Sequence, residues 1–113
     1  MDCLFCNIVN KEIESNFIFE DEYLIAFHDI NPKAPTHLLI VPKKHIATIN
    51  EVTIEDTSLV GHMVRVAKQL AASHQLAEDG YRLVFNVNKA GGQDVYHIHL
   101  HLLGGRQMSW PPG

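Results

Sequence analysis

The pattern of apolar and polar positions divides the 113-residue chain into short strands and one long helix. Apolar or alternating runs bounded by turn residues predict strands over residues 17–20, 23–28, 37–41, 81–87 and 95–102. Between the third and fourth runs, apolar residues recur at helical spacing and predict a helix from about Ile54 to about His74. Residues 3–13 predict a short helix or an irregular lead into the first strand.

The predicted helix has a capping signal ahead of it and one apolar face. Thr53 followed by Asp56 resembles a capping box, although Glu or Gln is the usual reciprocal partner. The apolar face comprises Leu59, Val60, Met63, Val64, Val66, Ala67 and Leu70. We therefore expect this face to fill a core, with Met63 as a packing residue rather than a ligand.

The order of these elements predicts an α+β fold. Three strands precede the helix and two follow it, and no β-α-β crossover is required. An antiparallel five-stranded sheet, with the long helix packed on one face, satisfies this order. The length of 113 residues corresponds to one domain over residues 1–113.

The last predicted strand carries three histidines at alternate positions, His97, His99 and His101. A strand has a side-chain period of two, so all three imidazoles share one face. The opposite face is predicted to be buried and comprises Tyr96, Ile98, Leu100 and Leu102. Leu or Val would pack better than imidazole, so the pattern indicates chemistry, either metal binding or nucleophilic and acid–base catalysis.

The loop before the histidines suggests an anion site. Gly91 and Gly92 allow a ligand to approach the backbone closely, and free N–H groups there can bind anionic oxygens. Gln93 adds a side-chain amide that can donate to phosphate. A glycine pair alone is usually a turn, but directly ahead of three alternating histidines it suggests a phosphate held beside an imidazole.

Composition and charge exclude several classes of partner. The hydrophobic fraction is 46%, the charged fraction is 19% and the formal net charge is −4, which is typical of a globular protein that does not bind nucleic acid through charge. There is no apolar run of membrane-spanning length, and the first residues do not resemble a signal peptide, so we expect no membrane association and a cytoplasmic location. In a reducing compartment, Cys3 and Cys6 suggest a metal or redox pair rather than a structural disulfide.

Several motifs together resemble the histidine triad (HIT) superfamily, in its nucleotide-binding (Hint) branch. The segment from His97 to Leu103 matches the triad signature of histidines alternating with apolar residues. Further similarity extends along nearly the whole chain, over residues 27–30, 34–37, 42–45, 91–93 and 104–113. The ending Trp110-Pro111-Pro112-Gly113 is particularly specific.

The resemblance implies a homodimer whose sheet continues across both subunits, and an enzyme that hydrolyses purine nucleoside phosphoramidates and aminoacyl adenylates. The nucleotide would be AMP or GMP, transferred through a nucleotidyl-histidine on His99, and no cofactor would be needed for catalysis. His101 would contact the phosphate near the leaving group, and His37 would assist proton transfer. The remaining implied nucleotide contacts are Asp29 on the ribose, Ile30 on the base, Asn86, Gly92, Gln93 and Asp94 near the phosphate, and Trp110 near the partner's site.

A structural zinc ion is also implied by the resemblance. Some histidine triad proteins hold zinc with an N-terminal C-x-x-C pair, the histidine of a Pro-Lys-x-His segment and the first triad histidine, which correspond to Cys3, Cys6, His45 and His97. His97 would then be structural rather than catalytic. The alternative is two buried, reduced cysteines without a special role.

Two rival functions and one departure stay open. The site could serve a purine-nucleotide sensor with vestigial catalysis, or a dinucleoside polyphosphate hydrolase, which the Trp-Pro-Pro-Gly ending disfavours. The departure is Asp94, where many eukaryotic members carry serine near the phosphate. We hypothesise that this carboxylate shifts preference toward cationic or amine-rich leaving groups.

Overall fold

The computed structural model describes residues 3–113 as one sheet with two helices. Helix α1 spans Leu4–Val9, and the long helix α2 spans Thr57–Ser73. The strands are β1 (Phe19–Glu20), β2 (Leu24–His28), β3 (Thr36–Pro42), β4 (Tyr81–Val84) and β5 (Leu100–Gly104). Two single turns of 3₁₀ helix, Ile49–Glu51 and Ile54–Asp56, precede α2.

The sheet has the strand order β1-β2-β3-β5-β4, and every neighbouring pair is antiparallel. In the central pair, Thr36 at the start of β3 lies opposite Gly104 at the end of β5. The segments just before β3 and just after β5 therefore leave the sheet side by side. The predicted α+β fold, with one long helix and a five-stranded antiparallel sheet, is confirmed.

The two faces of the sheet have different packing. Helix α2 packs on one face, where Met63 is fully buried in the main core together with Leu38, Leu100 and Leu102. A smaller cluster on the other face consists of Phe5, Ile8, Ile25, Phe27, Leu39 and Val41. Helix α1 contributes Phe5 and Ile8 to this second cluster, so it covers only part of that face. Among residues 3–113, no helix is long and apolar enough to span a bilayer.

The histidine segment enters the sheet later than predicted. Strand β5 begins at Leu100, opposite Ile40, and residues 95–99 lie outside the strand ladder. The Ile98 N–H instead donates to the Ile46 carbonyl (2.8 Å), beyond the end of β3. Because β5 is short, β4 also ends early, at Val84 rather than at residue 87.

Side chains of the histidine segment still alternate in burial, although residues 95–99 make no strand pairing. Ile98, Leu100 and Leu102 belong to the α2-side core, as predicted. Tyr96 does not, because it precedes the contact with Ile46 and is 46% exposed. The prediction that Tyr96 lies on the buried face was therefore wrong.

Smaller differences concern α2 and β3. The Thr53 N–H donates to Asp56 Oδ2 (3.1 Å), and this capping contact holds residues 54–56 in a 3₁₀ turn, so α2 begins at Thr57 rather than near residue 54. Val64 is 43% exposed on the edge of the predicted apolar face, which is narrower than expected. Pro42 belongs to β3, opposite Leu24.

Candidate functional site

A cleft of about 740 Å³ lies on the α1 side of the sheet. His37 from β3, His99 just before β5 and His101 within β5 all line it. Asp29, Ile30, Asn86 and Asp94 line it as well. The fold thus brings together residues that are as much as 72 positions apart in the chain, between Asp29 and His101.

The hydrogen bonds of His99 determine which of its ring nitrogens is free. Nδ1 lies 2.8 Å from the backbone carbonyl of His97, so it must carry the proton and donate it. Nε2 therefore keeps its lone pair, and Asp94 Oδ1 lies 3.9 Å away from it. The Phe5 ring packs edge-on against the buried imidazole, with ring centroids 5.0 Å apart. The arrangement is that of an oriented imidazole nucleophile.

A backbone donor fixes the protonation pattern of His37 and His101. The Lys33 N–H donates to His37 Nδ1 (3.0 Å), so the neutral His37 ring carries its proton on Nε2. His37 Nε2 then donates to His101 Nδ1 at 2.9 Å, and Asp29 Oδ2 lies 3.4 Å from the same Nε2. The proton of neutral His101 therefore resides on its Nε2. This nitrogen is buried and has no hydrogen-bond partner among residues 3–113.

Burial keeps this pair of histidines uncharged near neutral pH. Burial, together with the neighbouring His99 and His37, lowers the pKa of His101 to about 4. Burial also lowers the pKa of His37, against the opposing effect of the Asp29 carboxylate. The unpartnered Nε2–H of His101 is thus a neutral donor that an anionic oxygen in the cleft can satisfy.

The other expected cleft residues occupy different positions on its rim. Asp29 uses Oδ1 to accept the Asn31 N–H (2.8 Å) and directs Oδ2 toward His37. Ile30 is 96% exposed, which leaves an apolar surface available at the rim. Asn86 lines the cleft beyond the end of β4.

Gln93 and Gly92, which the resemblance places near the phosphate, are not among the residues that line this cleft. Gln93 is buried, and its side-chain amide donates to the carbonyls of Ala47 (2.7 Å) and Val95 (3.1 Å). Its Oε1 accepts the Asn88 N–H (2.9 Å). The Gly92 N–H donates to the Lys89 carbonyl (3.0 Å). Gly92 has a φ of +81°, a backbone conformation of this turn that glycine adopts readily. Both residues brace the loop instead.

Three basic residues line the cleft that sequence reasoning did not identify: Lys33, Arg82 and Arg106. Arg82 donates to the Ser109 carbonyl (2.8 Å) and Arg106 donates to the Lys33 carbonyl (2.9 Å). The tail that they hold contributes Met108 and Pro112 to the lining. Trp110 is 84% exposed and does not line the cleft of its own chain. The partners of these residues are backbone carbonyls, which leave no side-chain signal in a sequence.

A second cluster adjoins the cleft and consists of Cys3, Cys6, His45 and His97, whose potential ligand atoms all lie within 4.8 Å of one another. His97 Nδ1 is 3.3 Å from Cys3 Sγ, 3.5 Å from Cys6 Sγ and 3.2 Å from His45 Nδ1. Cys6 Sγ is 3.3 Å from His45 Nδ1. Ligands about 2.0–2.3 Å from a tetrahedral zinc ion are separated by roughly 3.3–3.8 Å, so the donor set fits zinc closely.

The surroundings of this cluster also favour a cation. His97 Nε2 donates to the Pro42 carbonyl (2.7 Å), which leaves Nδ1 with a lone pair directed at the cluster. Burial and the neighbouring Cys3 raise the pKa of the Cys6 thiol to about 11. A bound divalent ion would compensate the thiolate charge that burial opposes.

Asp29, His37 and His101 form another group with metal-like spacing, but their hydrogen bonds do not suit a metal. A metal-bound histidine donates from its second nitrogen to an acceptor. His37 faces a donor instead, the Lys33 N–H, and its proton lies on the nitrogen that would meet the metal. This group is suited to proton handling rather than to metal binding.

Comparison with known proteins gives consistent matches over almost the entire chain. The family model described as HIT domain matches residues 10–108. Purine nucleoside phosphoramidase of Escherichia coli strain K12 is 48% identical over 107 residues, which cover 95% of this chain and 90% of that protein. The crystal structure of a HIT family hydrolase from Legionella pneumophila Philadelphia 1 has a TM-score of 0.97 and 62% identity, covering 99% of this chain and 100% of that one. A histidine triad protein from Clostridium difficile has a TM-score of 0.93 and 38% identity, covering 96% and 95%.

Proposed function

The chain belongs to the HIT domain family, and we propose that it is a purine nucleoside phosphoramidase acting through a nucleotidyl-histidine on His99. Its substrates would be purine nucleoside monophosphate derivatives, including phosphoramidates and aminoacyl adenylates. The main support is the arrangement of two imidazoles whose ring centroids are 5.0 Å apart. His99 offers a lone pair at Nε2, and His101 offers an unpartnered Nε2–H. The name of the E. coli relative supports the same activity.

In this proposal the nucleoside occupies the rim of the cleft. Ile30 packs against the purine, because an exposed apolar side chain gains from covering by a flat aromatic base. The Asp29 carboxylate accepts hydrogen bonds from the ribose hydroxyls. Asn86 and the Nε2–H of His101 contact the phosphate, which satisfies the otherwise unpartnered donor.

The first step transfers the nucleotidyl group to the enzyme. The lone pair of His99 Nε2 forms a bond to phosphorus while the P–N bond to the leaving amine breaks. An amine leaves readily only when its nitrogen is protonated. The anionic phosphate favours protonation of the His37–His101 pair, which takes a proton from solvent and passes it through His101 to the leaving nitrogen.

The second step releases the nucleotide. Water forms a bond to phosphorus, the bond between phosphorus and His99 Nε2 breaks, and the ring nitrogen recovers its lone pair. The proton lost by the attacking water passes to His101. The pair returns this proton to solvent when the nucleoside monophosphate departs.

The test is hydrolysis of adenosine 5′-phosphoramidate by the wild-type protein and by His99→Ala, His101→Ala and Arg65→Leu, the last as a control on the exposed surface of α2. We expect wild type and Arg65→Leu to turn over equally. His99→Ala should lose activity by a factor of about 10⁴ or more, because it lacks the nucleophile. Rapid-quench mass spectrometry should detect a nucleotidyl adduct on His99 in wild type.

Other outcomes would favour the rival functions. Tight purine-nucleotide binding without hydrolysis would support a sensor. Faster hydrolysis of dinucleoside polyphosphates than of phosphoramidates would support the polyphosphate hydrolase. Full activity of His99→Ala would exclude His99 as the nucleophile.

We also propose that Cys3, Cys6, His45 and His97 hold a structural zinc ion. The donor spacing and the second-nitrogen hydrogen bond of His97 support this assignment. When bound, zinc would compensate the cysteine thiolates and join α1 to the segments that carry His45 and His97. Elemental analysis of protein purified without chelators should give one zinc per chain, and a value near zero would contradict the proposal.

A homodimer with a continuous sheet is the third part of the proposal. Strand β4 is the last strand in the sheet order, so its outer edge offers backbone donors and acceptors to a second copy. All four β4 side chains are only partly buried in the single chain. Sedimentation equilibrium should give twice the chain mass, and a mass equal to that of a single chain would contradict the homodimer.

A further inference from the structure

The C-terminal tail and the loop ahead of β3 are in direct contact beside the catalytic cleft. Because Thr36 lies opposite Gly104, the tail leaves β5 where the loop enters β3. Gly105 has φ +91°, and a Cβ at this position would lie only 2.9 Å from Pro35 Cβ. Glycine is therefore required for the tail to cross the loop this closely.

This crossing brings the Arg106 side chain to Lys33. Arg106 Nε donates to the Lys33 carbonyl (2.9 Å), and a second guanidinium nitrogen donates to the Gln107 carbonyl (3.2 Å). The Lys33 N–H is the donor to His37 Nδ1. Lys33 therefore contacts both groups: its carbonyl accepts from the exposed Arg106 guanidinium, and its N–H donates to the buried His37 ring.

We propose that Arg106 is a positioning residue that sets the tautomers of His37 and His101 by holding Lys33 in place. With the Lys33 N–H on Nδ1, His37 must carry its proton on Nε2, and His101 must carry its own on its buried, unpartnered Nε2. If Lys33 moves away, His37 can place its proton on Nδ1 and become an acceptor at Nε2. His101 would then donate from Nδ1 and present a lone pair, rather than a proton, to the substrate.

The tautomer assignment stands on hydrogen-bond geometry alone, while its effect on catalysis rests on the proposed phosphoramidase function. The two can be tested separately. Arg106→Leu removes every guanidinium donor and keeps an aliphatic stem, and Arg106→Lys restores one charged donor. Arg65→Leu makes the same substitution on the exposed surface of α2. Arg82→Leu releases the tail at Ser109 without touching Lys33.

The direct readout is the ring-nitrogen chemical shifts of His37 and His101 from long-range ¹H–¹⁵N NMR at neutral pH, assigned with His37→Asn and His101→Asn. Wild type, Arg65→Leu and Arg82→Leu should show Nε2-protonated rings at both positions. Arg106→Leu should show a mixture that includes the Nδ1-protonated ring of His37, and Arg106→Lys should largely restore the wild-type signals. Unchanged shifts in Arg106→Leu would overturn the proposal.

The kinetic readout is hydrolysis of adenosine 5′-phosphoramidate. Acid–base catalysis contributes about 10²–10⁴-fold, so partial loss of its correct tautomer in Arg106→Leu should lower kcat roughly 10-fold with little change in KM. A fall in kcat without a tautomer change would also overturn the proposal. A tautomer change in a protein whose wild type lacks hydrolysis would leave this inference intact and refute the proposed function instead.

Discussion

The three triad histidines differ because of what the second nitrogen of each ring contacts. His97 donates to a carbonyl from Nε2 and directs Nδ1 at the cysteines. His99 donates to a carbonyl from Nδ1 and leaves Nε2 free in the cleft. His101 accepts at Nδ1 and presents Nε2–H. In the proposed function, one residue type thus supplies a zinc ligand, a nucleophile and a proton donor.

Asp94 gives a prediction about leaving-group preference. Its side chain is 85% exposed, and Oδ1 lies 3.9 Å from His99 Nε2, so in the proposed function a carboxylate lies where the substrate phosphorus would approach. Asp94→Asn should reduce the preference for phosphoramidates with a cationic leaving group over those with a neutral one by about 3–10-fold. An interaction of roughly 1 kcal/mol between unit charges 4 Å apart in water sets this scale.

The measurement is the ratio of kcat/KM for two adenosine phosphoramidates of equal length, one ending in an amine and one in a methyl group. Asp79→Asn, an exposed carboxylate in the turn after α2, is the matched control and should leave the ratio unchanged. A ratio in Asp94→Asn equal to that of wild type would eliminate this role for Asp94.

Side-chain chemistry could be predicted from the sequence where the residue type itself carries the signal. His37, His99, His101 and Asp29 were identified in this way and do meet in one cleft. The burial of Gln93 could not be predicted, because its three partners are backbone groups of loop residues. The Lys33 N–H was missed for the same reason, since every residue except proline carries that donor.

Helix α1 is the element that joins the two sites. Phe5 lies between Cys3 and Cys6 in the sequence, and its side chain is buried. Its ring packs edge-on against Phe27, His97 and His99, at centroid distances of 5.7, 6.0 and 5.0 Å. The His97 carbonyl also accepts the proton of His99 Nδ1. Anything that holds the cysteines in place therefore also holds His99 in place.

Removal of the proposed zinc ion should consequently affect both stability and catalysis. We expect chelation followed by dialysis to lower the unfolding midpoint by about 5–15 °C, given roughly 4–8 °C per kcal/mol for a domain near this size. Helix α1 is only 6 residues long and depends on its tertiary contacts, so it should not stay in place without the ion. The value of kcat should fall as well, and added zinc should restore both quantities.

The control for this experiment is Cys3→Ala/Cys6→Ala, measured by calorimetry with and without chelator. Its midpoint should lie near that of the chelated wild type and should not respond to chelator or to zinc. If metal analysis shows that zinc has gone while the wild-type midpoint stays constant, the cluster does not stabilise α1.

At the level of elements, hydrophobic periodicity and turn residues predict the type and order of the strands and of the long helix better than they predict the lengths. The five strands and the long helix occur where the apolar pattern indicated, because burial on one face determines that pattern. The ends of β4 and β5 could not be predicted, since a strand ends where its neighbour stops pairing. Here the Ile98 N–H leaves the ladder to reach Ile46, a contact that involves residues 52 positions apart.

In the molecule as a whole, the larger apolar core and the candidate site lie on opposite faces of the sheet. The α2 side contains the larger apolar core, while the other side holds nearly all the buried imidazoles. Imidazoles buried without charge make folding sensitive to pH, because the unfolded chain binds protons that the folded chain excludes. The catalytic face therefore imposes a pH dependence on the stability of the entire domain.

The sign of this dependence follows from the pKa values. Burial lowers the pKa of His101 to about 4 and also lowers the pKa of His37, whereas unfolded imidazole titrates near pH 6.5. The stability that these rings contribute is complete above about pH 6.5 and is lost as the pH falls toward 4. The carboxylates of Asp21 and Asp56, whose pKa values are lowered below their usual range, lose their contribution only at more acidic pH.

Urea unfolding at several pH values between 5 and 7.5 tests this directly. We expect the free energy of unfolding of wild type to fall with pH by up to about 1.4 kcal/mol per pH unit for each histidine that stays uncharged. His101→Asn should reduce the pH dependence of the free energy of unfolding by the contribution of one histidine, whatever its effect on stability at pH 7.5. His28→Asn, at an exposed position in the same sheet, should keep the wild-type slope. Equal slopes for wild type and His101→Asn would mean that His101 accepts a proton in the folded state as readily as in the unfolded one, which its burial argues against.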